Sequence, residues 1–320
     1  MEPPKAPTLA RHAVALLTVS TVLHPLAILS VGLRFLARRK TASVKIDDWL
    51  ALLALVFGTG LYVTGILICT IGFAGFHAAV LEVYQIERFL LLVYIDNLFY
   101  ALTLPTIKIS ILYMYHRLFP VRKFAYALIV VGLIVTGWMV SVVTVQIFTC
   151  TPVRGAWIPS AANHCINQTK FYYGNSVSNI LTDVGILALP MPLIWQLKMS
   201  RRKKIAVTGI LLMGGFVCIS SIVRLCYLAR IDNNDITYSL VAVGNWTSIE
   251  TPLAIICGCL PTLPVLFRSH RTREPSSNSH GSTPLVSTGD HKGGESIPLD
   301  SMDSSRIYVS RQIEHRVQHV

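Results

Sequence analysis

The sequence predicts an all-α membrane protein with seven transmembrane helices, and three observations predict it. Seven apolar stretches lie between Ala13 and Phe267, and a helix needs roughly 20 apolar residues to cross about 30 Å of hydrocarbon. Hydrophobic residues make up 52% of the chain and charged residues 14%, against about 25% charged in a typical soluble domain. Lys and Arg gather in alternate linkers, the asymmetry that orients membrane helices. Inside a bilayer the backbone must satisfy its own hydrogen bonds, so runs of this length fold as helices.

The elements follow in order. Residues 1–12 form a short outer N-terminus, Pro-rich and with an acid at Glu2, unlike a cleavable signal peptide. Span one runs from Ala13 to Leu36. Span two follows Asp47-Asp48 and runs from Trp49 to Phe73. Span three is Phe89–His116, span four Phe124–Phe148 and span five Tyr173–Leu197. Span six is Ile205–Leu228 and span seven Ser239–Phe267. Pro105, Pro190, Pro192, Pro252, Pro261 and Pro264 kink or end their helices. Gly209, Gly214 and Gly215 allow close helix approach in span six. Trp49, Trp157, Tyr173 and Trp195 fall near interfaces, where amphipathic rings belong. Residues 268–320 are rich in Ser, Gly, Pro and His and predict a disordered cytoplasmic tail. Its Ser276, Ser277, Ser279, Ser304 and Ser305 are candidate phosphorylation sites.

Orientation rests on the linkers. One side holds Arg38, Arg39, Lys40 and Lys45, then Arg117, Arg122 and Lys123, then Lys198 and Arg201–Lys204, then Arg268, Arg271 and Arg273. The other side has single basic residues. The clustered side is read as cytoplasmic, so the N-terminus lies outside and the C-terminus inside. The net charge of +12 is spread over linkers and forms no single basic face, which excludes nucleic acid as a partner. The implied partners are the lipid bilayer and a cytoplasmic signalling protein at the basic loops.

Five Asp, Glu, Lys or Arg residues lie more than one helical turn inside spans, where charge is costly and faces the bundle interior: Asp96, Lys108, Asp183, Arg224 and Glu250. Counted from the outer span ends, Asp96 sits roughly 10 Å deep, Asp183 and Glu250 roughly 15 Å, and Arg224 roughly 7 Å. They form either a ligand cavity or interhelical ion pairs, Asp183 with Lys108 and Arg224 with Glu250. Ser178, Asn179, Thr182 and Asn245 are polar neighbours that suit both.

In the long outer loop, Cys150 and Cys165 predict a disulfide on the oxidising side, with Cys69 as the other candidate partner. Asn167-Gln168-Thr169 is a glycosylation sequon on the same loop, whereas Asn245-Trp246-Thr247 lies inside span seven. His12, His24 and His77 lack metal-ligand spacing, and no nucleophile elbow or phosphate-cradling loop occurs, so no catalytic or metal site is expected.

Several short motifs occur in a fixed order. Asp47-Asp48-Trp49 precedes Gly72-Phe73-Ala74-Gly75-Phe76-His77, then Lys108-Ile109-Ser110-Ile111-Leu112 and Tyr115-His116-Arg117-Leu118-Phe119. Cys150-Thr151-Pro152, Trp157 and Cys165 follow, then Leu189-Pro190-Met191-Pro192, Ser221-Ile222-Val223-Arg224-Leu225 and Leu260-Pro261-Thr262-Leu263-Pro264. Over roughly residues 15–270 this order resembles the fungal rhodopsin-domain integral membrane proteins. The resemblance implies a seven-helix, rhodopsin-like bundle. It also implies a receptor-like protein, not an enzyme, that senses an outer ligand and couples to the cytoplasmic loops. Some relatives are regarded as Pth-type receptors with a cysteine-rich outer domain, for which the N-terminus here is too short. Others accompany secondary-metabolite genes, which leaves a small ion or metabolite transporter, or a membrane accessory protein, as the alternative. The plasma membrane is favoured over an endomembrane. Span seven contains no Lys for a retinal Schiff base, so no cofactor is expected. Asp-Arg-Tyr and Asn-Pro-x-x-Tyr signatures are missing from spans three and seven.

Overall fold

The structure, a computed structural model, describes residues 11–41, 44–119, 121–192, 201–231 and 236–262. Expectations for the first ten residues, Trp195, Lys198, Pro264 and the tail with its serines lie outside the described residues. Seven long α-helices occur among the described residues: α1 Arg11–Thr41, α2 Ile46–Thr70, α3 Val83–Leu118, α4 Arg122–Ile147, α5 Gln168–Ala188, α6 Arg201–Leu228 and α7 Ile236–Cys259. Six of them are long and apolar enough to cross a membrane. In the seventh, α5, Asn175, Asn179, Thr182 and Asp183 interrupt the apolar run, and the predicted span continues past the helix into residues 193–197, outside the described residues.

All seven helices begin earlier than hydropathy predicts, α3 and α5 by the most, and capping explains these two. α3 starts at Val83, not Phe89, because the Glu82 N–H donates to Gln85 Oε1 at 3.0 Å, closing a first turn that is too polar to read as a span. α5 starts at Gln168, not Tyr173, because Asn167 Oδ1 accepts from the Lys170 N–H at 3.1 Å. At the start of α2 the Asp48 carboxylate accepts from the Lys45 N–H at 3.1 Å, and both Asp47 and Asp48 complement the helix dipole there.

Each helix packs on its sequence neighbours, α7 closes the ring against α1, and α3 also touches α5 and α7. The core lies around α3, with Ala27, Val31, Ala51, Ala54, Leu104, Ile107 and Ile255 buried together. α4 turns Tyr126, Ile129, Leu133 and Val140 outward, an apolar face that suits lipid.

The α4–α5 loop is a small folded unit. Strands Cys150–Thr151 and His164–Cys165 pair antiparallel with Cys150 opposite Cys165, and these two form the disulfide. Cys69, the other candidate, is buried and free. Trp157 packs on Tyr94 of α3 with ring centroids 5.5 Å apart, which seats the loop on the bundle. At the same end Thr237 Oγ1 donates to the Phe76 carbonyl at 2.8 Å, tying the α2–α3 loop to α7. The disulfide marks one end of the bundle, and the linkers bearing Arg38, Lys45 and Arg122 mark the other, basic end.

Candidate functional site

Glu250 of α7 is fully buried and collects four donors. Arg224 Nε lies 2.8 Å from Oε2, Asn179 Nδ2 2.8 Å from Oε1 and the Tyr100 hydroxyl 3.3 Å from Oε2, while Ser221 donates its hydroxyl to Oε1. Asn179 carries the network onward: its Oδ1 accepts from Lys108 Nζ at 2.6 Å. That ammonium sits 3.1 Å from Asp183 Oδ1, 2.8 Å from Thr182 Oγ1 and 5.2 Å over the Trp138 ring. Asp183 also accepts from Ser221 at 3.4 Å. Two cations and two anions therefore balance inside the bundle, which buried charges require.

Helical spacing assembles this group. Asn179, Thr182 and Asp183 are three and four residues apart and share one face of α5, and Ser221 and Arg224 do so on α6. Tyr100 and Lys108 lie about two turns apart on α3. Arg224 and Glu250 touch although their counted depths differ by roughly 8 Å. The counts assumed that spans six and seven end at one level, and the Arg side chain covers part of the gap.

Asp96 stands apart from the other four. Its Oδ1 accepts from Thr64 Oγ1 at 2.7 Å, and among the described residues it has no ion-pair partner. It lines a cavity of about 160 Å³ between α2, α3, α5, α6 and α7, together with Asn97, Tyr100, Tyr172, Asn175 and Arg224. The cavity lies at the disulfide end, since Gln168 and Tyr172 at the start of α5 help to line it. A site needs only roughly 10–15 Å³ by such a measure to hold one water, so this one accommodates a small organic molecule. Arg224 and Tyr100 belong to both the cavity and the network, with the guanidinium 4.9 Å over the Tyr100 ring. Arg224 Nη1 donates to Ser176 at 3.3 Å, while Nη2 and Asn175 Oδ1 are buried without hydrogen-bond partners among the described residues.

A second charge cluster at the basic end escaped the sequence reading. Arg34 of α1 is fully buried. Its Nε lies 2.8 Å from Asp48 Oδ1, its Nη2 2.9 Å from Asp47 Oδ2, and its Nη1 donates to the Gly258 carbonyl of α7 at 2.9 Å. Arg38 approaches both carboxylates at 3.4 Å, and Arg117, near the end of α3, reaches Asp47 Oδ1 at 3.7 Å. Ser110 of α3 donates to the Asp47 carbonyl at 2.6 Å. The available signal was an Arg inside span one followed by Asp47-Asp48 across a short linker; helix-end position made all three look solvated. Asn167 is exposed on the disulfide-end loop.

The model of the fungal rhodopsin domain matches residues 33–269. The chain belongs to the fungal rhodopsin domain family. The matched segment contains both charge clusters, from Arg34 to Glu250, and makes this family member a multi-pass membrane protein. It is similar to the polyenoic acids biosynthesis gene cluster protein Ba17b of Metarhizium anisopliae, 33% identical over 258 residues, 75% of this chain and 70% of that protein. It is also similar to a SAT4 family membrane protein of Emericella nidulans, 28% identical over 65% of this chain and 55% of that protein. Receptor GIN3 of Arthrobotrys oligospora is 27% identical over 95% of this chain and 75% of its own length. No solved structure matches.

Proposed function

We propose that this fungal rhodopsin-domain protein is a receptor-like, seven-span protein of the plasma membrane, with its disulfide end outside. A small molecule enters the cavity at that end, and the charge network beneath it passes the change to the basic cytoplasmic end, where a signalling partner docks. The observation that supports this most is the sharing of Arg224 and Tyr100 between cavity and network. Retinal has no place in the reading, because α7 carries no Lys. The test uses a fluorescent label at the basic end: Leu118→Cys, labelled in a Cys226→Ser background because Cys226 is exposed. Weakening the network with Glu250→Gln is expected to shift that label's emission. An unchanged label, together with altered ion or metabolite flux in liposomes, would overturn the receptor reading. The relative named for a biosynthesis gene cluster favours a second reading, a transporter or membrane accessory protein of a secondary-metabolite pathway, and the flux arm reads the transporter form directly.

A further inference from the structure

We propose that the ligand of the disulfide-end cavity is a small organic ammonium compound, held through its charge by Asp96 and through its apolar body by the cavity wall. This deepens the receptor reading and rests on it only for the ligand's consequence, not for its binding.

The argument begins with charge. Two ionisable acid–base groups other than tyrosine line the cavity, Asp96 and Arg224. Arg224 is neutralised by Glu250 at 2.8 Å, and the deeper Lys108 by Asp183 at 3.1 Å. Asp96 has a hydroxyl partner in Thr64 and no cation among the described residues. Cavity and network together thus carry one uncompensated negative charge when Asp96 is ionised. A carboxylate in such surroundings is stable only beside a cation or a full set of donors. An ammonium group supplies both the charge and the donors, whereas an anionic ligand would add a second uncompensated charge.

The wall completes the description. Leu61, Phe89, Val93, Leu240 and Val241 give the cavity an apolar lining. Asp96 is only partly buried and lines the cavity. Tyr100 and Tyr172 line the same space, and tyrosine faces attract cations. The complementary molecule is a primary or secondary amine with a short aliphatic or aromatic body. Asp96 and Tyr100 lie four residues apart on α3, hence one turn apart on one face. An ammonium on Asp96 is therefore held one helical turn along α3 from Tyr100, whose hydroxyl donates to Glu250.

The experiment measures thermal unfolding of the full chain in detergent with matched probes. These are 2-phenylethylammonium and hexylammonium chloride, the neutral alcohols 2-phenylethanol and hexanol, sodium 3-phenylpropionate, and sodium chloride at equal ionic strength. The ammonium salts are expected to raise the unfolding temperature saturably, and the alcohols, the carboxylate and sodium chloride are not. Asp96→Asn is expected to weaken ammonium binding by on the order of tenfold to a hundredfold, the value of a charge-assisted hydrogen bond. Asp96→Glu is expected to retain most of it. The wild-type comparison stands even if a variant fails to fold. Stabilisation by the carboxylate alone, by sodium chloride equally, by amine and alcohol equally, or by none of the probes would overturn the proposal. Ammonium binding without any shift of the label at position 118 would keep this assignment and sink the receptor reading. A label that responds to Glu250→Gln in a protein that ignores ammonium salts would do the reverse.

Discussion

Glu250 and Arg224 form one ion pair, yet their removal is expected to have unequal consequences. Glu250→Ala strips the guanidinium of its only carboxylate partner among the described residues and leaves it Ser176 and the Tyr100 ring. It also takes the acceptor from the Tyr100 hydroxyl and leaves the donors of Asn179 and Ser221 with the longer contacts to Asp183. Breaking a buried pair by removing one partner costs about 3–5 kcal/mol, and this case belongs at the upper end. Arg224→Leu leaves Glu250 three donors, each worth about 1.5–3 kcal/mol to a charged acceptor, so its cost belongs at the lower end. Replacing both as Arg224→Leu with Glu250→Gln removes the charges together and keeps an amide that can bond Asn179 and Ser221. That double variant is expected to lie closer to wild type than Glu250→Ala, and in the cycle with the single variants Arg224→Leu and Glu250→Gln the coupling energy is expected to be about 2 kcal/mol. The assay is thermal or denaturant unfolding in detergent, followed by Trp fluorescence, with the monodisperse fraction from size exclusion as a second readout. Equal costs for Glu250→Ala and Arg224→Leu, or a double variant equal to the sum of Arg224→Leu and Glu250→Gln, would refute the reasoning.

Other perturbations follow from the same contacts. Arg34→Lys is expected to lose about half of what Arg34→Ala loses, itself about 3–5 kcal/mol. A Lys head is a point charge and cannot replace a guanidinium fork that spans Asp47, Asp48 and the Gly258 carbonyl; equal losses in folded yield would contradict this. Replacing Cys150 and Cys165 with Ser opens a loop closed over a separation of 15 residues, worth about 3 kcal/mol in the chain-entropy model. Unfolding of the wild type but not of this variant is then expected to respond to reductant. The exposed Asn167 is expected to carry a glycan when the chain is made in a secretory membrane; a glycosidase-sensitive gel shift that survives Asn167→Gln would contradict it.

Six of the seven described helices are long and apolar enough to span, and these were legible from hydropathy because hydrocarbon thickness imposes a minimum length on apolar runs. Helix starts were not, because Gln85 and Asn167 begin their helices in polar sequence that the hydrophobic scale reads as loop. The paired contacts of Arg224 with Glu250 and of Lys108 with Asp183 agree with the ion pairs read from the sequence, since few charges lie in the bilayer and each needs a partner. The isolation of Asp96 was not legible. Rotation about the helix axis decides which neighbours a residue meets, and one chain without internal symmetry carries no signal for it. Arg34 was missed for a related reason. At a span end a charged side chain can reach water or fold inward, and only the packing of α1 on α2 and α7 turns it inward.

The two charge clusters have one helix in common. α3 carries Asp96 and Tyr100 toward the disulfide end, Lys108 at the network, and Ser110 and Arg117 at the basic end. From Asp96 to Arg117 is about 32 Å of rise, the thickness of the hydrocarbon itself. Along that length α3 bonds α2 at both ends, α5 and α7 at the centre. A rotation or axial slide of α3 that relieves one contact must strain the others, because close-packed helices shift between discrete arrangements and do not deform smoothly. On the receptor reading, charge added at Asp96 is therefore expected to act beyond its own site. It acts on the helix that also holds Lys108 against Asp183 and Ser110 against the Asp47 carbonyl. That common dependence is the physical basis on which a cavity at one end could bias the basic surface at the other.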